Sequence, residues 1–348
     1  MIRAITIACA VFTAMAANAW SAPCTTANPS CTEWITFGNG PSRSLIYRTY
    51  ALAEPNEAIT RALIMVHGAG RDVDNYFRTA VLAAFLDGAL ENTVVIAPRL
   101  ASNDGVECKD TLAVHEVSYN CSSWRSGGPA LSDKNVNSFV FVDEILRKLA
   151  NRKTFPNLRS IVVAGHSAGG QFVTRYEMAN TVHDELGTPV TYVVANPSSY
   201  AYPETVRPRE DAAKPGTVEF GPFRDAGNCT TYDKWPYGLE SRATAGYTAQ
   251  MSDEQLRKQL ASRPVTYLLG EIDILPLGGF DSSCPAMAQG PTRLARGEAF
   301  ADLVVTKYGA PHKAVVVPLC GHNSRCMFTA DIALPVLFPS PAPSAETR

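Results

Sequence analysis

The stretch SIVVAGHSAGGQFVTRYE, residues 160–177, decides how the chain folds. Its first half is a run of β-branched and small apolar residues, which reads as a strand buried on both faces. A helical pattern follows. At the junction stands Gly165-His166-Ser167-Ala168-Gly169, the spacing G-x-S-x-G. Between a strand and a helix this spacing predicts a sharp turn that strains the serine and pushes its hydroxyl out over the sheet edge. Glycines two residues to either side are required because side chains there would collide with neighbouring backbone. The helix that follows aims its N-terminus at the serine, which favours negative charge developing there.

The same alternation continues outward in both directions. ALIMVHGAG (62–70), TVVIAPRL (93–100), TYVVANPSS (191–199), VTYLLGEID (265–273) and KAVVVPLC (313–320) are apolar runs closed by turn residues. Between them lie amphipathic stretches. In NSFVFVDEILRKLAN (137–151), Phe139, Val142, Leu146 and Leu149 recur at helical spacing, with Asp143, Glu144, Arg147 and Lys148 off that stripe. Strands and helices in alternation predict βαβ units and an α/β fold with a mainly parallel central sheet flanked by helices. TEWITFG (32–38) and SRSLIYRTY (42–50) predict an antiparallel pair at one edge. Residues from about 200 to 263 break the rhythm: rich in Pro, Tyr, Trp and charge, they are too long for a simple loop and predict a cap inserted over the sheet. The expected organisation is one domain over 22–338 carrying that insertion, then a loose Pro- and Ser-rich tail at 339–348.

Composition narrows the class. Of 348 residues, 46% are hydrophobic and 18% charged, which suits a globular chain with a sizeable core, and a net charge of −2 implies no basic surface for nucleic acid. Residues 1–21 combine Arg3, a short apolar run and the small-residue pair Ala17 and Ala19, the pattern of a secretory signal peptide cut after Ala19 or Ser21. No later stretch is long and apolar enough to span a bilayer. A secreted or periplasmic location follows. Of nine cysteines, Cys9 lies in that leader and eight remain, an even number that argues for disulfides in an exported chain. Proximity in the chain suggests Cys24–Cys31, Cys108–Cys121 and Cys320–Cys326, leaving Cys229 for Cys284. Near the C-terminus LCGHNSRC (319–326) could hold a metal through Cys320, His322 and Cys326, but there is no second C-x-x-C pair and export favours oxidised sulfur, so no metal is expected.

MVHGAGRD (65–72) ends a strand in His67-Gly68-Ala69-Gly70. With this turn and the G-x-S-x-G junction, the chain resembles α/β-hydrolase-fold serine hydrolases. Its exported character and the GHSAGGQF segment resemble, more narrowly, polyhydroxyalkanoate depolymerases and feruloyl esterases. The resemblance implies that Ser167 is a nucleophile and that an oxyanion hole is formed by the amides of Ala69 (or its neighbour Gly70) and Ala168. His67 reads as a histidine holding its loop, and His166 as one that packs beside or tunes the site. In this family the order is Ser, acid, His. Downstream of Ser167 lie His183, expected at the surface, His312, at the wrong sheet edge, and His322, just past the last strand at the edge where ligand sites form. His322 is therefore the expected base. The family pattern G-x-x-D followed closely by Pro is matched by Gly270, Asp273 and Pro276, so Asp273 is the expected acid, with Glu271 as second choice and Asp281 weaker; the preceding strand ends in ANPSS, without a carboxylate. A Cys320–Cys326 bond would close a ring around His322 and limit its motion.

The activity implied is hydrolysis of a carboxylic ester, small or polymeric, with no cofactor. A peptidase or amidase would share every motif, and a catalytically silent binding protein would share the fold. Trp124, Tyr200 and Trp235 are candidate pocket aromatics, although the core of the cap is an equal use for them. Arg71 and Arg125 could receive an anionic group, or could be solvated surface arginines.

Overall fold

A computed structural model describes residues 22–209, 218–242 and 246–340. The leader expected at 1–21 and residues 341–348 of the expected tail lie outside the described residues. The chain forms an eight-stranded sheet in the order β1-β2-β4-β3-β5-β6-β9-β10. β1 (Thr32–Thr36) and β2 (Arg43–Arg48) are antiparallel at one edge, Trp34 facing Leu45, and β2 also runs antiparallel to β4 (Thr93–Pro98). From β4 onward every pairing is parallel, through β3 (Arg61–Val66), β5 (Ser160–His166), β6 (Val190–Ala195), β9 (Val265–Gly270) and β10 (His312–Val317).

The continuous apolar runs serve two cores at once because successive strand residues point to opposite faces. Ala62, Ile64, Val66, Ile161, Val163, Tyr192, Val194, Tyr267 and Leu269 pack on one face, whereas Leu63, Met65, Val162, Ala164, Val193, Ala195 and Leu268 pack on the other. On the first face lie α2 (Ser138–Leu149) and α3 (Ala168–Ala179); the stripe Phe139, Val142, Leu146 and Leu149 is fully buried. On the second lies α1 (Val73–Leu86). Asn137 starts α2 by accepting from the amides of Phe139 and Val140, the side-chain cap expected of Asn. α3 is buried at every residue, and Ser167 stands at its N-terminus, directly after the end of β5.

The stretch at 200–263 divides. Its ends belong to the main layers: Tyr200 and Tyr202 are inaccessible in the first core, Tyr200 stacked on Phe300 at 4.5 Å between ring centroids. α4 (Asp253–Ser262) buries Leu256 and Leu260 in the same core, its first turn capped by Ser252. Between them, β7 (Val206–Pro208) and β8 (Phe220–Pro222) form a small antiparallel ribbon. After β9 come the short α5 (Cys284–Met287) and the long α6 (Arg293–Tyr308), which opens on a Thr292 cap. After β10 follow α7 (Ser324–Thr329) and α8 (Leu334–Leu337) on the second face. The eight cysteines among the described residues stand in four pairs at disulfide distance, Cys24–Cys31, Cys108–Cys121, Cys229–Cys284 and Cys320–Cys326, with Cα separations of 5.4–5.9 Å. Among the described residues no helix is long and apolar enough to cross a membrane.

Candidate active site

Register aligns the carboxyl ends of the central strands: Val66 faces Gly165, His166 faces Ala195, and Val317 faces Gly270. Ser167 sits at this edge as the residue that starts α3, with φ 59° and ψ −119°, a conformation that L-residues other than glycine rarely adopt. Tertiary packing holds it there. Its amide donates to the Ala195 carbonyl at 2.9 Å. A Cβ on Gly169 would stand 2.6 Å from the His67 carbonyl oxygen, and one on Gly165 would stand 2.5 Å from the carbonyl carbon of Gly169. Gly170, outside the five-residue motif, is as confined: a Cβ there would meet the Ala195 oxygen at 2.7 Å.

His322 Nε2 lies 2.9 Å from Ser167 Oγ, and His322 Nδ1 lies 2.8 Å from Asp273 Oδ2. The structure thus brings Ser167, His322 and Asp273 into one hydrogen-bonded chain, although 49 residues separate the last two and 155 the first two. Glu271 is not in contact with the imidazole; its carboxylate accepts the Leu319 amide at 2.8 Å and so braces the histidine loop. Asp281 accepts from the Tyr237 hydroxyl instead. The acid and histidine loops are sewn together by their backbones, Glu271 N–H to the Val317 oxygen and Ile272 N–H to the Cys320 oxygen, each 3.1 Å. The imidazole is held between two surfaces. The His166 ring lies 4.7 Å away between centroids, and a Cβ on Gly278 would come within 2.9 Å of His322 Cδ2. His166 is buried with Nδ1 3.1 Å from the Tyr76 hydroxyl; burial first, then the nearness of His322 and Arg293, keeps it well below the usual histidine range and therefore neutral. Cys320 and Cys326 tie the loop to α7, whose Met327 and Phe328 are buried.

Opposite lies the loop after β3. His67 is inaccessible; its Nε2 accepts the Leu100 amide at 3.1 Å, which leaves the proton on Nδ1, 2.9 Å from the Gly68 oxygen it is donated to. Arg71 grips Asp110 with Nε and Nη2 at 2.7 and 3.1 Å and donates from Nη1 to the Ala69 oxygen at 2.8 Å. Both carbonyls are thereby committed, and in a trans peptide the next amide points the opposite way, which frees the N–H groups of Ala69 and Gly70 from this side of the loop. Ala168, the first residue of α3, has an amide with no acceptor inside the helix. The cleft between these walls holds about 380 Å³ and is lined by Gly68, Ala69, Gly70, Ser167, Gly279 and His322, among others.

A model of the alpha/beta hydrolase family matches residues 63–333. The chain belongs to the alpha/beta hydrolase family. Among solved structures, this family member is similar to poly(aspartic acid) hydrolase-1 from Sphingomonas sp. KT-1, with a TM-score of 0.60 and 21% identity over 88% of this chain and 97% of that one. It is also similar to a poly(3-hydroxybutyrate) depolymerase from Bordetella parapertussis, with a TM-score of 0.57 and 20% identity over 88% of each chain. At these identities the likeness carries the fold. No curated protein matches the sequence significantly.

Within this alpha/beta hydrolase the aromatic expectations need correction. Trp124 is fully buried, its Nε1 donating to the Cys121 oxygen and its ring lying against His67 and Phe172. Tyr200 is equally buried. Both are large apolar surfaces spent on the core, and neither lines the cleft. Trp235 is half-buried and donates to the Ser126 oxygen at 3.2 Å. None of the described residues of 200–263 lines the cleft beside Ser167. Arg71 is engaged with Asp110 and is not a free anion receptor. His183 is half-buried on Tyr192 instead of free at the surface. Sequence reading also passes over Asn196, in the left-handed region at φ 43°, which accepts the Gly270 amide at 2.7 Å and donates to the Gly321 oxygen at 3.1 Å. One side chain thus fastens the end of β6 to both the acid and the histidine loops. The NPS turn that carries it has no feature that marks this bridge in advance.

The committed tautomer of His67 has a stability consequence. Desolvation holds this histidine down to about 4, against an ordinary value near 6.5. Between those two pH values the unfolded chain binds the proton and the folded chain refuses it, so stability is full above about 6.5 and falls as pH drops through the window. At pH 5 the loss from His67 is expected to be about 2 kcal/mol. Urea unfolding at pH 7 and pH 5 measures it. His67→Asn, which cannot titrate, should lose less than wild type over that interval, and equal losses would remove His67 as the source.

Proposed function

We propose that this alpha/beta hydrolase is a serine hydrolase of carboxylic esters, exported to an oxidising compartment and acting through an acyl-enzyme. The observation that carries the reading is the uninterrupted Ser167–His322–Asp273 chain at 2.9 and 2.8 Å, opening on a cleft. A serine hydroxyl is a weak nucleophile until a base removes its proton, and a base that becomes charged needs a fixed counter-charge. In this reading His322 Nε2 takes the proton as Oγ attacks the ester carbonyl. Asp273 holds the other proton on Nδ1 and stabilises the imidazolium. The amides of Ala168 and of Ala69 or Gly70 receive the oxyanion, worth about 3 kcal/mol per donor in comparable sites. His322 then protonates the leaving alkoxide, and water, deprotonated by the same nitrogen, releases the acid.

Two features support an uncharged, apolar ester. The cleft lining contains one carboxylate, Asp72, and no lysine or arginine. The chain segments that carry Asp273 and His322 also expose aliphatic side chains, Ile272, Ile274, Leu275, Leu277 and Leu319, each 49–79% accessible. Export is supported by the signal-like pattern at 1–21 and the four cysteine pairs at disulfide distance. The test is a fluorophosphonate probe followed by matched ester and amide substrates. Labelling at Ser167 with faster ester turnover is expected. An unlabelled folded protein would leave a silent hydrolase fold, and faster amide turnover would make it an amidase.

A further inference from the structure

We infer that Arg293 is the positioning residue of the acid, holding Asp273 in the orientation that His322 requires. The inference rests on the triad reading above. Asp273 is nearly inaccessible, and its two oxygens are divided: Oδ2 faces His322 Nδ1, and Oδ1 lies 3.2 Å from Arg293 Nη1. The side chain of Arg293 is fully buried, which is costly for a guanidinium unless its nitrogens find acceptors. Each nitrogen finds one, at the site itself. Nε donates to Ser198 Oγ at 2.7 Å, beyond the end of β6, and Nη2 donates to the Gly278 oxygen at 3.0 Å. Gly278 is the residue that closes against the Cδ2 edge of the His322 ring. One cation from the first turn of α6 therefore fixes the acid, the wall against the imidazole and the neighbouring strand end.

The charge matters as much as the geometry. With His322 neutral, no other cation among the described residues pairs with the buried Asp273 carboxylate. When the imidazole takes the serine proton, the line reads Arg293 positive, Asp273 negative, His322 positive and oxyanion negative, each charge next to its opposite. A monodentate contact also chooses between the carboxylate oxygens: with Oδ1 pinned to the guanidinium, only Oδ2 can face Nδ1. Nothing in PTRLARGEAF (291–300) distinguishes this arginine from Arg296, which instead donates to the Gly290 and Asp281 carbonyls.

The test is a double-mutant cycle on the full chain with an ester that wild type turns over; a wild type with neither turnover nor Ser167 labelling would fault the triad reading and not this one. Arg293→Met is expected to lower kcat by about 10–100-fold with KM within about twofold, because the contact orients a base and touches no substrate. Arg293→Lys, which keeps the charge and one arm, should recover most of that loss. In an Asp273→Ala background Arg293→Met should lower kcat no further, since the group it positions is gone. Unchanged kcat in folded Arg293→Met, or an equal loss with and without Asp273, would overturn the role. Should Arg293→Met fail to fold, Arg293→Lys carries the same cycle: a few-fold loss beside Asp273 and none beside Ala is expected, and an equal loss in both refutes the assignment.

Discussion

Ser167→Ala and His322→Ala are each expected to lower kcat by about a million-fold, and the double variant by no more than either alone. The non-additivity follows from the chain of contacts. In the proposed mechanism His322 Nε2 serves only the proton on Ser167 Oγ, so without the hydroxyl the base would have nothing to deprotonate, and without the base the hydroxyl would be an ordinary alcohol. Residual turnover should remain above the uncatalysed rate by about a thousand-fold, from binding and the backbone amides. Asp273→Asn tests the third member differently. Arg293 offers only donors to Oδ1, so the amide oxygen of Asn should turn toward Arg293 and its NH2 toward His322 Nδ1. That contact forces the ring proton onto Nε2, facing Ser167, where a lone pair is needed. A loss of about ten-thousand-fold in kcat with KM little changed is expected. Steady-state kinetics with single-turnover checks for contaminating wild type measure all three variants, and a double variant far below both singles would break the scheme.

The strand ends were legible because the same apolar runs that bury both faces of the sheet must stop where the backbone reaches solvent, and turn residues mark the stops. That is why Ser167, Asp273 and His322 could each be located from a run and its terminus, and why Asp273 could be ranked above Glu271 two residues earlier. The residues that hold these groups in place were not legible. Asn196, Arg71, Asp110 and Arg293 act through contacts spanning 20 to 125 residues, and a buried arginine looks in sequence like a surface one. Aromatic residues misled in the opposite direction. Trp124 and Tyr200 carry the chemistry of a pocket and of a core equally well, and only the position of α3 and α6 decides between them. Length misled as well: 200–263 is long enough for a cap, yet its two ends are needed to complete the main layers.

Gly169→Ala is expected to destabilise the fold by about 4 kcal/mol or more. The added Cβ would lie 2.6 Å from the His67 oxygen and 2.9 Å from the Val66 carbonyl carbon, and the Val66 oxygen is nearer still. These are backbone atoms of the last residue of β3, a strand paired on both sides, and of the residue after it, so they cannot swing away as a side chain would. Relief requires α3 to back off from the sheet, and α3 is buried along its whole length. The close approach has a purpose: it brings the first turn of α3, with Ser167 and the Ala168 amide, against the loop of Gly68, Ala69 and Gly70. A helix seated farther out would separate the two sets of amides proposed for the oxyanion. Gly169→Ala that folds at all should therefore lose turnover as well as stability. Gly40, with ordinary φ and nothing within 4 Å of an added Cβ, supplies the control, and Gly40→Ala should leave the urea midpoint within experimental error. A Gly169→Ala midpoint equal to that of Gly40→Ala would mean that the helix does not sit this close to β3, and the argument for paired amides at the cleft would fall with it.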